Sequence, residues 1–218
     1  MAKAKAGWLG ILLCVTLGVS SCARVHLNRG TKSADLLATG LVGWQQIGGG
    51  QGNWQIEYGI LSSKGQGGWL STVRQYDDFE LSLEFRVAPD GNSGVFLRAP
   101  HRGDPAYVGM EIQIIHDSAE QAQSLRPNQY TGSIYDVQAP SERASKRAND
   151  WQKMVIVCEG PRVRVILNGE KVVDTNTTYF PYKYETHPGL TRRRGYIGLQ
   201  DHGGGVEFRD IRIKSLTD

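Results

Sequence analysis

From about residue 35 onward, apolar and polar residues alternate with a period of two along most of the chain. Phe79-Glu80-Leu81-Ser82-Leu83-Glu84-Phe85-Arg86-Val87 alternates without a break, the pattern of a strand with one buried face. Val163–Leu167 alternates as well and runs into Asn168-Gly169, a two-residue hairpin signal, with Lys171-Val172-Val173 as the return strand. Further strands are predicted at Trp54–Leu61, Trp69–Val73, Val95–Arg98 (opened by Asn92-Ser93-Gly94), Val108–His116, Met154–Glu159, Tyr196–His202 and Val206–Ile213. Ala119–Leu125 fits one short helical turn, and no segment carries a sustained 3.6-residue period. About ten strands joined by glycine-rich turns predict an all-β chain: a two-sheet antiparallel β-sandwich, a jelly roll. The longer connections, 117–132, 137–150 and 174–194, are loops able to shape a site.

The first 21 residues follow a different rule. Lys3 and Lys5 precede an almost purely apolar stretch, Gly7–Val19, too short for the roughly 20 residues that a membrane-spanning helix needs. This reads as a secretory signal, and Val19-Ser20-Ser21-Cys22 resembles a bacterial lipobox in which Cys22 becomes the lipidated first residue. The expectation is an exported, lipid-anchored protein of the bacterial cell envelope: residues 1–21 signal, 22–33 tether, 34–218 folded domain. Cysteine usage agrees. Cys14 leaves with the signal, Cys22 is lipidated, and Cys158 remains alone among alternating apolar neighbours as a small buried hydrophobe.

Composition adds little beyond this. Hydrophobic residues at 39% and charged residues at 22% suffice for a core. Glycine at 27 residues favours turns, and a net charge of +3 gives no support for a nucleic-acid partner.

Candidate chemistry concentrates on the strand from Val108. Met110, Ile112 and Ile114 share one face; Glu111, Gln113 and Ile115 share the other. An acid and an amide on one face of a central-looking strand need a reason, because burying them unpaired is costly. Arg98 on the preceding strand, and Gln200 and His202 near the C-terminal end, are expected to join them in a polar groove on a concave sheet face. Tyr135 and Trp44 are candidate walls for a sugar ring. A solvated Arg98–Glu111 cross-strand ion pair is the competing reading. The competing reading of Trp44 is core, as for Trp54, Trp69 and Trp151, since each precedes or begins a strand.

The run Trp54-Gln55-Ile56-Glu57-Tyr58-Gly59, then Tyr76-Asp77-Asp78-Phe79, Asn92-Ser93-Gly94-Val95-Phe96-Leu97-Arg98 and Gly109-Met110-Glu111-Ile112-Gln113-Ile114 resembles the 3-keto-disaccharide hydrolase domain family. Thr131-Gly132-Ser133-Ile134-Tyr135, Leu167-Asn168-Gly169 and Gly198-Leu199-Gln200-Asp201-His202-Gly203 extend the likeness from about Ala34 to Leu216. The resemblance implies a concanavalin-like jelly roll acting on sugars already oxidised to a ketone at C3. It departs at one position, where the family usually carries an acid: here His116 stands there and Asp117 follows.

A C3 ketone acidifies the C2 proton, and loss of that proton lets the C1 substituent leave by β-elimination, with hydration completing net hydrolysis. Under this resemblance Glu111 is the expected base and His202 the acid or orienting group. Arg98, Gln113, Gln200, Tyr135 and Asp117 are expected to bind substrate, and His116 and Asp117 are candidate ligands of a divalent metal. A two-carboxylate glycosidase is disfavoured on this strand, which offers one acid on the relevant face. The alternative of a different class is a non-catalytic carbohydrate-binding module at the cell surface.

Overall fold

The period-two segments form two antiparallel sheets in the computed structural model, which describes Met1 and residues 32–217. The signal segment and Cys22 lie outside the described residues. In chain order the strands are β1 (Ala34–Asp35), β2 (Trp44–Ile47), β3 (Trp54–Glu57), β4 (Ile60–Ser63), β5 (Trp69–Tyr76), β6 (Phe79–Val87) and β7 (Asn92–Ala99). A four-residue helix, α1 (Pro105–Val108), precedes β8 (Met110–Ile115). The second half holds β9 (Gln152–Glu159), β10 (Arg162–Leu167), β11 (Glu170–Asn176), β12 (Gly195–Gln200) and β13 (Val206–Ser215).

The larger sheet runs β11-β10-β9-β6-β13-β4-β3, with β1 beside β13; the smaller runs β2-β5-β12-β7-β8. Phe79, Leu81, Leu83, Phe85 and Val87 of β6 are buried to 1% exposure or less, as their alternation dictates. They share one core with Leu97, Met110, Ile112, Ile114, Ile197 and Leu199 of the smaller sheet. Each such side chain stabilises the fold by roughly 1.5–3 kcal/mol relative to exposure, so the sandwich needs no disulfide.

Several boundaries differ from the sequence reading. Trp54–Leu61 is a hairpin, β3 to β4, because Tyr58 and Gly59 adopt φ of 52° and 78° and turn the chain. Asn92-Ser93-Gly94 is the start of β7, with Asn92 opposite Ile115 and Gly94 opposite Gln113. Val108 ends α1, so β8 is shorter than expected. The turn expected at Ala119–Leu125 is a 3-10 helix over Glu120–Ser124. The hairpin at Asn168-Gly169 stands as read, with φ of 54° and 97°.

Trp44 and Trp54 are buried in the main core, so Trp44 does not wall a sugar site. Trp69 is buried in a separate cluster with Phe96, Ala99 and Ala106. Trp151 departs from the core expectation: it lies between the guanidiniums of Arg86 and Arg209, 5.0 and 3.9 Å from its ring centre. Cys158 is fully buried, and that burial pushes its thiol up to about 12, far from a reactive range.

Candidate active site

β8 presents Met110, Ile112 and Ile114 to the core and turns Glu111 and Gln113 to the outer face of the smaller sheet. Gly94 of β7 makes room for the acid. A Cβ there would stand 2.0 Å from Glu111 Oε1 and 2.6 Å from its carboxyl carbon. The strip 132–135 closes over the free side of β8: Gln113 N donates to Ser133 O at 3.1 Å, Gly132 N to Gln113 O at 2.9 Å, and Tyr135 N to Glu111 O at 2.9 Å. This strip carries Tyr135 to the rim of the groove.

Five sequence-predicted residues, Glu111, Gln113, Tyr135, Gln200 and His202, line one cavity of 180 Å³. Asn92, Asp104, Ala106 and Tyr107 complete its wall. Gln200 ends β12, where Ser93 Oγ donates to its carbonyl at 2.7 Å and fixes that end of the strand. His202 is exposed on the turn that follows. Three glycines, Gly203 to Gly205, make this turn possible, with φ of 96°, 86° and 77°. Asp201 anchors it: Oδ2 accepts from Asn53 Nδ2 at 2.7 Å and Gly67 N at 3.0 Å, and Oδ1 from Gly204 N at 2.8 Å.

Glu111 is 3% exposed, and its carboxyl receives no hydrogen bond from any described residue. Burial, with the Asp104 carboxylate adding to it, pushes the group up to about 8. A carboxyl held this way is a far stronger base, once ionised, than an exposed glutamate, which is how proteins prepare an acid for proton transfer near neutrality.

Arg98 is a correction. It is fully buried and does not enter the cavity. β7 bulges against β12 there: Phe96 faces Gly198, Ala99 faces Tyr196, and Arg98 takes φ of 52°. The extra residue reverses the expected alternation, so Phe96 and Ala99 share the outer face while Arg98 turns away. Its guanidinium binds Asp78 Oδ1 at 2.9 Å, Asp77 O at 2.9 Å and Gly160 O at 2.7 Å. The Arg98–Glu111 ion pair is therefore absent too.

His116 and Asp117 are the second correction. His116 Nδ1 lies 2.9 Å from Pro89 O, and the Asp117 carboxylate accepts from Thr131 N at 3.0 Å and Ser145 Oγ at 2.7 Å. Both belong to loop packing and neither lines the cavity. Among the described residues no group of three His, Cys, Asp or Glu is placed to hold a metal ion. Asp117 stands two residues past the end of β8, and Thr131, which also bonds Ile115, draws it toward the 117–132 loop.

Asp104, Tyr107 and Asn92 escaped the sequence reading. Asp104-Pro105 carried a signal, since an acid before proline opens a helix. Asp104 Oδ1 accepts from Ala106 N at 3.0 Å and caps α1, which sets Tyr107 over the cavity. Behind it the Tyr107 ring rests on buried His187, with centroids 4.9 Å apart.

Comparison with known proteins bears on the fold and the family. The model of the 3-keto-alpha-glucoside-1,2-lyase-like domain matches residues 35–214. A 3-keto-disaccharide hydrolase of Bacteroides thetaiotaomicron is 26% identical over 216 residues, covering 80% of this chain and 74% of that protein. A candidate glycosyl hydrolase from Parabacteroides distasonis superimposes with a TM-score of 0.77 at 27% identity, over 85% of this chain and all of the other. A carbohydrate-binding module of Bacillus subtilis shares the fold alone, with a TM-score of 0.52 at 16% identity over 79% of this chain and 96% of that one. With a polar cavity built around one buried acid and a family match along nearly all of the sandwich, the chain belongs to the 3-keto-alpha-glucoside-1,2-lyase-like domain family.

Proposed function

We propose that this protein cleaves 3-keto-glycosides, beginning with removal of the C2 proton by Glu111. One observation carries the reading: a carboxyl 3% exposed, with no donor among the described residues, opens into a cavity lined by amides, phenols and a histidine. A purely structural carboxylate at that depth would have partners, because an unpaired buried charge is costly.

In the step, ionised Glu111 takes the proton from C2, and the electron pair moves onto the C3 oxygen as an enolate. Gln113 and Gln200, both at the cavity wall, are the amides available to donate to that oxygen. The enolate returns its electrons, the C1–O bond breaks, and the leaving oxygen collects a proton, for which exposed His202 at the mouth is suited. Water adding at C1 of the unsaturated sugar, with a proton returned to C2, completes a net hydrolysis. The related enzyme and the candidate glycosyl hydrolase support sugar cleavage as the general activity. The basic and apolar start of the chain and Cys22 support an exported, lipid-anchored location as part of the same proposal.

The test is solvent deuterium exchange at C2 of a 3-keto-glucoside. Exchange that vanishes in Glu111→Gln is expected. A wild-type protein that binds the sugar without exchanging the proton or releasing the aglycone would instead be a carbohydrate-binding module.

A further inference from the structure

A row of buried and half-buried rings lies on the outer face of the smaller sheet beyond the Glu111 cavity. Phe96, the register partner of Glu111, meets Trp69 edge to face with centroids 5.5 Å apart. Trp69 meets His101 at 5.6 Å, and His101 stacks on Tyr196 at 3.7 Å with planes 13° apart. Ser71 Oγ lies 2.8 Å from His101 Nε2 and holds that ring in place. Gly198 keeps the row low, since a Cβ there would stand 2.2 Å from the Trp69 ring.

Beyond this aromatic row lies a second cavity, of 370 Å³. Stacked His101 and Tyr196 form a flat wall, Arg102, Arg192 and Arg194 supply the charge, and no carboxylate lines it. Arg194 is partly committed, to Gln75 Oε1 on the cavity wall and to the Asp77 carboxylate, each at 3.2 Å, and Arg192 Nε donates to Val108 O at 2.7 Å. Arg102 is exposed and makes no hydrogen bond or ion pair with any described residue. Three cations sharing one opening raise the local potential and leave N–H groups free for an anion. Tyr196 faces Ala99 and Gly198 faces Phe96, so Tyr196 stands two strands and two residues from Glu111. That separation is roughly 12 Å at ordinary sheet spacings, a distance a glycoside spans from sugar to the far end of an aryl or sugar leaving group.

We propose that this second cavity binds an anionic group, a carboxylate or a sulfate ester, on the leaving group of the glycoside. The ring of that group lies on the Tyr196–His101 wall, and its oxygens meet the guanidiniums, whose forked donors match both anions. The inference rests on the reading of the Glu111 cavity as the cleavage site and adds the class of substrate that would fill both.

The test pairs each anion with a neutral isostere. Wild-type kcat/KM is measured for 3-keto-glucosides of 4-carboxyphenyl against 4-carbamoylphenyl, and of 4-sulfooxyphenyl against 4-methoxyphenyl. Calorimetric Kd values are taken for the corresponding glucosides lacking the ketone, which cannot react. The anionic member of at least one pair is expected to be preferred about tenfold or more in both measurements, the worth of one charge-assisted hydrogen bond. The preferred pair identifies carboxylate or sulfate. The ratio is expected to fall with ionic strength and to approach one in the double variant Arg102→Gln, Arg194→Gln. Equal treatment of both pairs in both measurements overturns the proposal. Anion-selective binding without turnover of any ketone substrate keeps the subsite and removes the cleavage reading.

Discussion

Gly94 and Glu111 compete for the same volume: a Cβ on the glycine would lie 2.0 Å from the carboxylate oxygen of its neighbour across the β7–β8 pair. The missing side chain at residue 94 is what lets a carboxyl lie flat against the sheet instead of standing up into the groove.

Gly94→Ala is therefore expected to swing Glu111 out of position while leaving the sandwich folded. Misplacement on the scale of an ångström costs on the order of 100-fold in rate. Turnover of a 3-keto-glucoside should fall by about that factor, with the circular dichroism spectrum unchanged. Wild-type turnover in this variant would show that the acid's position there is immaterial.

The elevated Glu111 carboxyl sets a pH profile. The ionised form is the active base, and with the group near 8 about a tenth is ionised at pH 7 in the free protein. The kcat/KM should climb about tenfold per pH unit below that value and level off above it. Stability runs the other way. Burial raises the folded-state value from 4.5 to about 8, so the unfolded chain releases this proton first, and stability falls between those two pH values. Glu111→Gln removes the titration, so its advantage in melting temperature over wild type should widen from pH 4.5 to pH 8 and then hold constant.

Arg98 is expected to matter for folding and not for binding. Arg98→Met strips the donors from Asp78, Asp77 O and Gly160 O. Removing one partner of a buried ion pair costs roughly 3–5 kcal/mol, and partial exposure of Asp78 places the effect at the lower end. Urea unfolding measures this directly, and an unchanged midpoint would contradict the assignment.

Asp201 is a positioning residue for His202. Asp201→Ala frees Asn53 Nδ2, Gly67 N and Gly204 N, and loosens a turn made of three glycines with positive φ. The expected signature is a fall in kcat with a smaller change in KM, beyond any drop in melting temperature of a few degrees. Asp201→Asn, which keeps one acceptor, should recover part of the rate.

The strands and the central acid were legible because they rest on local rules. The alternation in β6 and β8 could place its residues in no other way, and Glu111 with Gln113 followed from the same parity that buried Ile112. Arg98 failed by that very rule, since one bulged residue inverts parity and nothing in Asn92–Ala99 announces a positive φ at an arginine. His116 and Asp117 adjoin β8 in sequence, yet the Asp117 side chain is captured by Thr131 and Ser145, contacts of long separation that no local pattern encodes. Asp104 was legible as a helix cap; only the packing of α1 beside β8 made it a neighbour of Glu111.

Ala34 pairs with Ile213, so the two ends of the folded domain leave the larger sheet side by side. A short linker would join them, and new ends opened between exposed Gly169 and Glu170 would give a circular permutant with its outer strands still in register. Such a rearranged chain would carry its ends to another edge of the molecule, so the groove's orientation relative to anything fused there becomes a quantity that can be varied without touching a residue of the groove.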